Sequence, residues 1–186
     1  TRAELEEFRD SEVVPDLVGP GLKLLFVGIN PGLWTAAVRT PFAHPGNRFY
    51  PALLLAGILD ELPPYVEGFS DDDRRRFMAR GLGITNLVKR ATARADELTL
   101  QELRDGAARL ERDLAVWQPR VAAVVGITAY RQAFRRPKAR AGRQPDTLAG
   151  VELWVVPQPS GLNAHETIAS LAEAYAGPAR AAGLIL

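Results

Sequence analysis

Three short apolar runs constrain the fold of this 186-residue chain more than any other feature. They are Leu22–Val27, Val121–Gly126 and Val151–Val156, and a Gly or Pro residue ends each of them. Runs of this length bounded by turn residues are typical of buried strands. Helical patterns lie between them, notably in residues 100–117, where apolar side chains recur at spacings of three and four. This alternation predicts an α/β fold, a single three-layer α/β/α domain with a mainly parallel central sheet.

The remaining segments fit one domain over residues 1–186, with residues 1–20 as a peripheral N-terminal segment. Gly81–Val88 is interpreted as a short strand or an extended loop. Further helices are predicted from about residue 47 to 59, after Ser70 as N-cap, from 128 to 134, and up to about residue 176. For the last of these, Asn163 and Glu166 match a capping arrangement.

Composition excludes several classes of protein. The chain has no cysteine and only two histidines, so it has no thiolate metal site, and we expect no metal centre. No apolar run reaches membrane-spanning length, and nothing at the start resembles a signal peptide. We therefore expect no membrane partner and a cytoplasmic location, associated with the nucleoid if the protein is bacterial.

A cationic stretch between residues 131 and 143 stands out against a net charge of only +1. It contains no acidic residue, and its cations are Arg131, Arg135, Arg136, Lys138, Arg140 and Arg143. Two interpretations stay open: a solvated surface loop, or a patch that contacts nucleic-acid phosphates.

Asn30 is the first candidate for chemistry because of its position. It lies in Gly28-Ile-Asn-Pro-Gly32, directly after the first predicted strand. In open α/β sheets, ligands bind beyond the carboxyl ends of the strands. Asn-Pro-Gly is also an ordinary turn sequence, so position alone leaves both interpretations open.

Four motifs, taken together and in order, resemble those of one family. They are Gly28-Ile-Asn-Pro-Gly32, Pro41-Phe-Ala-His-Pro-Gly-Asn-Arg-Phe49, Gly83-Ile-Thr-Asn-Leu-Val88 and Pro157-Gln-Pro-Ser-Gly-Leu162. This pattern resembles the mismatch-specific uracil/thymine-DNA glycosylases of the uracil-DNA glycosylase superfamily. The resemblance implies a monofunctional base-excision repair enzyme that hydrolyses the N-glycosidic bond of uracil mispaired with guanine, with thymine and etheno-cytosine as further candidate substrates. It also implies double-stranded DNA as partner, base flipping, no cofactor and a monomeric enzyme.

The resemblance assigns roles around the extruded base. Asn30 would hold the attacking water, because an amide orients water but is no strong base. Phe42 would stack on uracil, with a buried loop anchor as its alternative role. Main-chain amides around Ile29 would bind the pyrimidine and stabilise the charge on the leaving base. Thr35 would face the C5 edge of the base, and Asn47-Arg48 would brace the loop or touch phosphate.

A second group of residues would contact the DNA. Leu162 would fill the space that the flipped base leaves, although a leucine there could instead dock against the core. Main-chain groups at Gly161 and Asn163 would meet the widowed guanine, and Gln158 and Ser160 belong to the same DNA-binding loop. Gln158 departs from the Asn that relatives often carry, which affects the expected substrate range more than the reaction.

A carboxylate that assists the water is hard to find in this sequence. The motifs lie in three irregular segments, residues 28–49, 81–98 and 157–166. Residues 28–49 contain no Asp or Glu, and only Asp96, Glu97 and Glu166 lie in or beside these segments. With Glu166 interpreted as a helix cap, Asp96 is the candidate auxiliary group, and a solvated loop carboxylate is its alternative role.

Two rival functions stay open: a non-catalytic lesion-sensing α/β domain, and a doubly wound nucleotide-binding enzyme. The sequence has no Gly-rich phosphate loop to favour the latter.

Overall fold

A computed structural model describes all 186 residues and has a five-stranded sheet at its centre. The strands are β1 (Leu24–Gly28), β2 (Leu82–Asn86), β3 (Val121–Val125), β4 (Gly142–Arg143) and β5 (Glu152–Val156). Their order across the sheet is β2-β1-β3-β5-β4, and all pairs are parallel except β4 with β5. The predicted three-layer α/β/α domain with a mainly parallel sheet is confirmed.

Seven helices surround the sheet. They are α1 (Arg2–Glu6), α2 (Leu33–Val38), α3 (Phe49–Leu55), α4 (Asp71–Ala79), α5 (Leu100–Trp117), α6 (Ile127–Ala133) and α7 (Ile168–Ala181). None of them is both long enough and apolar enough to cross a membrane.

Side chains of the central strands alternate between two cores, as the period of two in a strand requires. From β1, Leu24 and Phe26 pack into a core covered by α3, α4 and α7. Leu25 and Val27 point the other way, into a core covered by α5 and α6. Because both faces of the sheet are buried, the strands read as continuous apolar runs in the sequence.

The N-terminal segment lies along the outer edge of β2. Leu17 forms an isolated antiparallel bridge with Ile84 and is almost fully buried. Asp16 accepts hydrogen bonds from Thr85, which lies in β2, and from Lys89, which lies in the loop after β2. The segment therefore covers a sheet edge that would otherwise present unpaired main-chain groups.

Local chemistry sets most helix boundaries. Ser70 caps α4 as predicted, and α5 spans the predicted residues 100–117 behind a Thr99–Glu102 capping box. The helix predicted from 47 to 59 is shorter, because Gly57 has a φ of +78° just beyond its end.

The capping prediction for the last helix is wrong. Thr167 is the N-cap of α7, and Ser170 completes the capping box, so the helix begins four residues later than Asn163 and Glu166 imply. Asn163 instead donates its side-chain amide to the carbonyl of Gln158. The helix also continues to Ala181 through Pro178, beyond the predicted end near residue 176. The two-residue strand β4, within the basic stretch, was not predicted.

Candidate active site

Polar groups from three loops lie at the carboxyl edge of the sheet. Gly28 at the end of β1 is in register with Asn86 at the end of β2, and β5 ends beside β3 at Val156. The loops that follow β1, β2 and β5 therefore leave from one edge, where open α/β sheets bind their ligands.

The side chain of Asn30 is fixed by groups of the loop after β2. Its Nδ2 donates to Thr92 Oγ1 over 2.8 Å, to the carbonyl of Arg90 over 3.1 Å and to that of Pro31 over 3.2 Å. No protein donor reaches Oδ1, and the residue is partly exposed. All the acceptors lie on the Nδ2 side, so the Oδ1 atom is left free to accept a hydrogen bond from water.

Main-chain donors are also free at this point. The carbonyl of Ile29 accepts from Val88 N over 2.9 Å, which ties the loop to the chain beyond β2. The N–H groups of Ile29 and Asn30, by contrast, have no acceptor in the protein. Two neighbouring unpaired N–H groups beside a polar side chain are suited to bind carbonyl oxygen or a developing negative charge.

Phe42 has an unusual backbone conformation. Its φ is +54°, which is uncommon for a bulky residue and costs on the order of 1–3 kcal/mol. The loop is held by Tyr50, whose hydroxyl donates to the carbonyl of Pro41 over 2.7 Å. One face of the Phe42 ring stacks on Phe49 with centroids 4.1 Å apart, and the residue stays partly exposed. It thus acts as a loop anchor while its ring still reaches the site.

Asn86 is a site residue that the sequence analysis did not single out. It ends β2, and its carboxamide makes no hydrogen bond within the protein. A methyl group added at Gly28 would overlap Asn86 Oδ1 and lie 3.2 Å from Cζ of Phe42, so these three residues meet closely. The available signal was its position at a strand end, the same argument that identified Asn30.

Thr35 lies in α2 and is 6% exposed. Its hydroxyl accepts a hydrogen bond from the main-chain N–H of Ala43 over 3.3 Å, so it braces the Phe42 loop. Trp34 is tied in a similar way, because its indole N–H donates to the carbonyl of Val66 over 3.0 Å. Thr35 therefore supports the loop that carries Phe42, and Trp34 ties α2 to the segment around Val66.

Leu162 stands out from the surface and is 90% exposed. It does not dock against the core, which removes the alternative role considered for it. Ser160 Oγ accepts from the main-chain N–H of Leu162 over 3.2 Å, and the carbonyl of Ser160 accepts from that of Asn163 over 3.0 Å. These hydrogen bonds fix the turn so that the apolar side chain of Leu162 stays exposed to solvent, which is unfavourable for a leucine.

Arg48 ties the Leu162 turn to the loop that carries Phe42. Its guanidinium donates to the carbonyls of Ser160 over 2.5 Å and Asn163 over 2.9 Å, and also to that of Glu166. Gly161 packs so closely against the same loop that a methyl group there would lie 2.8 Å from the carbonyl oxygen of Gly46. Of the roles considered for Arg48, bracing the loop is the one that its contacts show.

The structure does not bring Asp96 together with Asn30 through any hydrogen bond. Asp96 lies in a 3-10 turn, Ala95–Glu97, with a side chain 69% exposed and paired with Arg94 over 3.1 Å. Glu166 is not available to Asn30 either. Its carboxylate accepts a hydrogen bond from the hydroxyl of Ser170, which lies in the first turn of α7. No group of three or more His, Cys, Asp or Glu side chains is placed to hold a metal ion.

An ion pair supports the loop that holds Asn30. Arg90, whose carbonyl accepts from Asn30, pairs with Glu102 over 2.6 Å and with Asp10 over 2.8 Å. Hydrogen bonds from the Arg90 guanidinium and then the Thr99 main chain lower the pKa of Glu102 to about 2.

Tyr175 supports the start of the loop that carries Leu162. Burial raises the pKa of Tyr175, and its neutral hydroxyl donates to the carbonyl of Pro157 over 2.9 Å.

Two comparisons with known proteins show the family and the fold of this chain. The model of a family described as the uracil DNA glycosylase superfamily matches residues 15–176. Among solved structures, the solution NMR structure of a candidate uracil DNA glycosylase from Methanosarcina acetivorans has a TM-score of 0.60 at 17% sequence identity. That match covers 91% of this chain and 95% of the other, and at this identity it shows a shared fold.

Proposed function

Because this chain belongs to the uracil DNA glycosylase superfamily, we propose that it is a monofunctional glycosylase that removes uracil mispaired with guanine in double-stranded DNA. The family supports DNA glycosylase activity with DNA as the partner. The mismatch preference rests on the four sequence motifs and on the loops that carry them. Thymine and etheno-cytosine opposite guanine are further candidate substrates.

The exposed turn at Leu162 supports base flipping. A base within a duplex has to leave the stack before its glycosidic bond can be attacked, and an apolar side chain can fill the space it leaves. Leu162 is 90% exposed on a turn that Arg48 holds in place. The main chain at Gly161 and Asn163, with Gln158 and Ser160 behind it, would then face the remaining strand and the unpaired guanine.

Phe42 and Asn86 would supply the flipped base with a stacking surface and with hydrogen-bonding groups. The Phe42 ring offers a stacking surface, worth roughly 1–3 kcal/mol per base in other proteins. The Asn86 carboxamide has one acceptor and two donor hydrogens without partners, which complement the N3–H and carbonyl groups of uracil. The free N–H groups of Ile29 and Asn30 would stabilise the negative charge on the departing base.

The orientation of Asn30 is the single observation that carries the proposed reaction. Its Nδ2 donates to Thr92, Arg90 and Pro31, so Oδ1 is free to accept a hydrogen bond from the water and would align the water oxygen with C1′. The bond between C1′ and the base nitrogen breaks first, and its electron pair leaves with uracil. The oxygen of the water then bonds to the oxocarbenium-like C1′, and its proton passes to solvent. An amide in place of a carboxylate makes a good leaving group necessary, and uracil is one.

Strand cleavage at the abasic product tests this proposal. A labelled duplex with one G·U pair is incubated with the protein and then heated in alkali. We expect cleavage with the wild type and a loss of about 10²-fold or more in Asn30→Ala, because the water is no longer positioned. Intact strands together with retained binding would instead support the lesion-sensing domain.

Leu162→Ala tests the role of the turn separately. We expect it to slow uracil release from G·U duplex more than from single-stranded DNA, where no stack has to be opened. Equal losses on both substrates would contradict the role of Leu162 in base flipping.

A further inference from the structure

A cationic groove lies between α5 and α6, outside the site described above. It has a volume of about 580 Å³. Its walls include Leu100 and Arg104 of α5, and Thr128, Arg131, Gln132 and Arg135 of α6 and the turn that follows it. No acidic residue lines it, so three arginines face a groove without a carboxylate to neutralise them.

The charges in this groove are unpaired. None of Arg104, Arg131 and Arg135 forms an ion pair, whereas Arg136 and Arg143 of the same basic stretch pair with Asp146 and Glu152. Arg104 Nε is buried and lacks a hydrogen-bond partner. Arg131 donates through Nε and Nη2 to the carbonyl of Ala139 over 2.8 and 2.6 Å, which fixes its charge at the groove wall. Adjacent unpaired cations attract anions strongly.

The groove begins beside the active site. Helix α6 follows Gly126 directly, and a methyl group at Gly126 would lie 3.3 Å from Cδ1 of Ile29. From there Thr128, Arg131 and Gln132 occupy positions i, i+3 and i+4 of α6, so they share one face, and Arg135 in the turn after the helix lines the same groove. The cationic surface therefore continues outward from the wall of the site.

We propose that this groove binds backbone phosphates of the DNA strand that flanks the flipped nucleotide. The proposal rests on the function proposed above, because it takes DNA as the partner. Thr128 and Arg135 lie seven positions apart along α6 and the turn after it, which corresponds to roughly 10 Å. A DNA strand winds around the helix axis, so its phosphates lie farther apart than the rise of about 3.4 Å per phosphate along that axis, and the groove is long enough for about two of them. A small anion is usually bound in a closed pocket that surrounds it. Arginines spread along an open groove instead suit the continuous backbone of a DNA strand.

The salt dependence of DNA binding tests the groove without requiring catalysis. Fluorescence anisotropy gives the affinity for an undamaged duplex at several salt concentrations, for the wild type and for Arg104→Gln/Arg135→Asn. Asparagine suits position 135, where φ is +56°. The control is Arg2→Gln/Arg112→Gln, which removes the same charge from two exposed arginines without ion pairs, one of them on α5.

We expect the slope of log affinity against log salt to fall by up to about 1.8 in the groove variant, since each lost phosphate contact is worth about 0.9. The control should keep the wild-type slope. Equal slopes in the groove variant and the control, with wild-type melting temperatures, would overturn the proposal. So would micromolar competition by inorganic phosphate, which would identify a small-anion site.

Base release separates this proposal from the proposed function. Uracil release from G·U duplex is measured for the wild type under single-turnover conditions, beside the salt dependence of binding. If the wild type released no uracil while the slope still fell in the groove variant, the proposed function would fail and the groove would stand. Normal uracil release with an unchanged slope would give the opposite result.

Discussion

Thr92 Oγ1 accepts a hydrogen bond from the side-chain amide of Asn30 over 2.8 Å, and this contact joins two loops that leave different strands. Thr92 is almost fully buried, and its hydroxyl donates in turn to the carbonyl of Arg94 over 2.8 Å. The direction of this chain determines which end of the Asn30 amide faces the site. Thr92 is therefore a positioning residue, because it acts on the reaction through Asn30.

We predict that Thr92→Val lowers kcat for uracil release about 10-fold with little change in KM. The valine removes one acceptor, worth about 0.5–1.5 kcal/mol, so the Asn30 amide turns more freely. Single-turnover and steady-state kinetics on G·U duplex measure both constants. Thr92→Ser keeps the hydroxyl and should stay near wild type, and a Val variant with unchanged kcat would contradict the role of Thr92.

Asn86→Leu should slow uracil release by roughly 10–100-fold, because the base then meets an apolar side chain where it would form hydrogen bonds. The same variant should bind a duplex containing an abasic site as the wild type does, since that ligand has no base to recognise. Base-release rates and anisotropy titrations give the two quantities. Weakened binding of the abasic duplex would show that Asn86 supports the fold and does not recognise the base.

Arg48→Met should free the Leu162 turn, because three carbonyls lose their shared donor. We expect uracil release from G·U duplex to fall about 10-fold, and release from single-stranded DNA to fall less. The matched control is Arg120→Met, which removes a guanidinium that donates to the carbonyl of Ala182. A loss that is equal on both DNA forms would indicate general destabilisation of the fold.

Acid should weaken the loop that holds Asn30 only at low pH. The folded pKa of Glu102, about 2, lies below the ordinary value of about 4.3. Its ion pair with Arg90 therefore contributes fully above about pH 4.3 and is lost as the pH falls through about 2. We expect wild type to unfold at higher urea than Glu102→Gln near pH 6, with the difference vanishing near pH 2. A difference that stays constant over this range would contradict the prediction.

Local patterns made much of the fold predictable. The apolar runs identified β1, β3 and β5, and the regular spacing of Leu103, Leu110 and Leu114 identified α5. Both signals come from neighbours in the chain, and burial on one or two faces imposes them directly on the sequence. The start of α7 was misplaced because Asn163 and Thr167 are both acceptable N-caps, and only the contact of Asn163 with the Gln158 carbonyl decides between them.

The sequence by itself determined the sheet, the layers of helices and the position of Asn30 at a strand end, because these follow from periodicity and turn chemistry. Only the tertiary structure decided which side chains meet at the candidate site. It brought Asn86 against Gly28 and Phe42, directed the Asn30 amide toward Thr92, and left Asp96 on an exposed turn. Those relations join residues up to 62 positions apart along the chain, and in the protein they depend on how separate strands pair at one edge of the sheet.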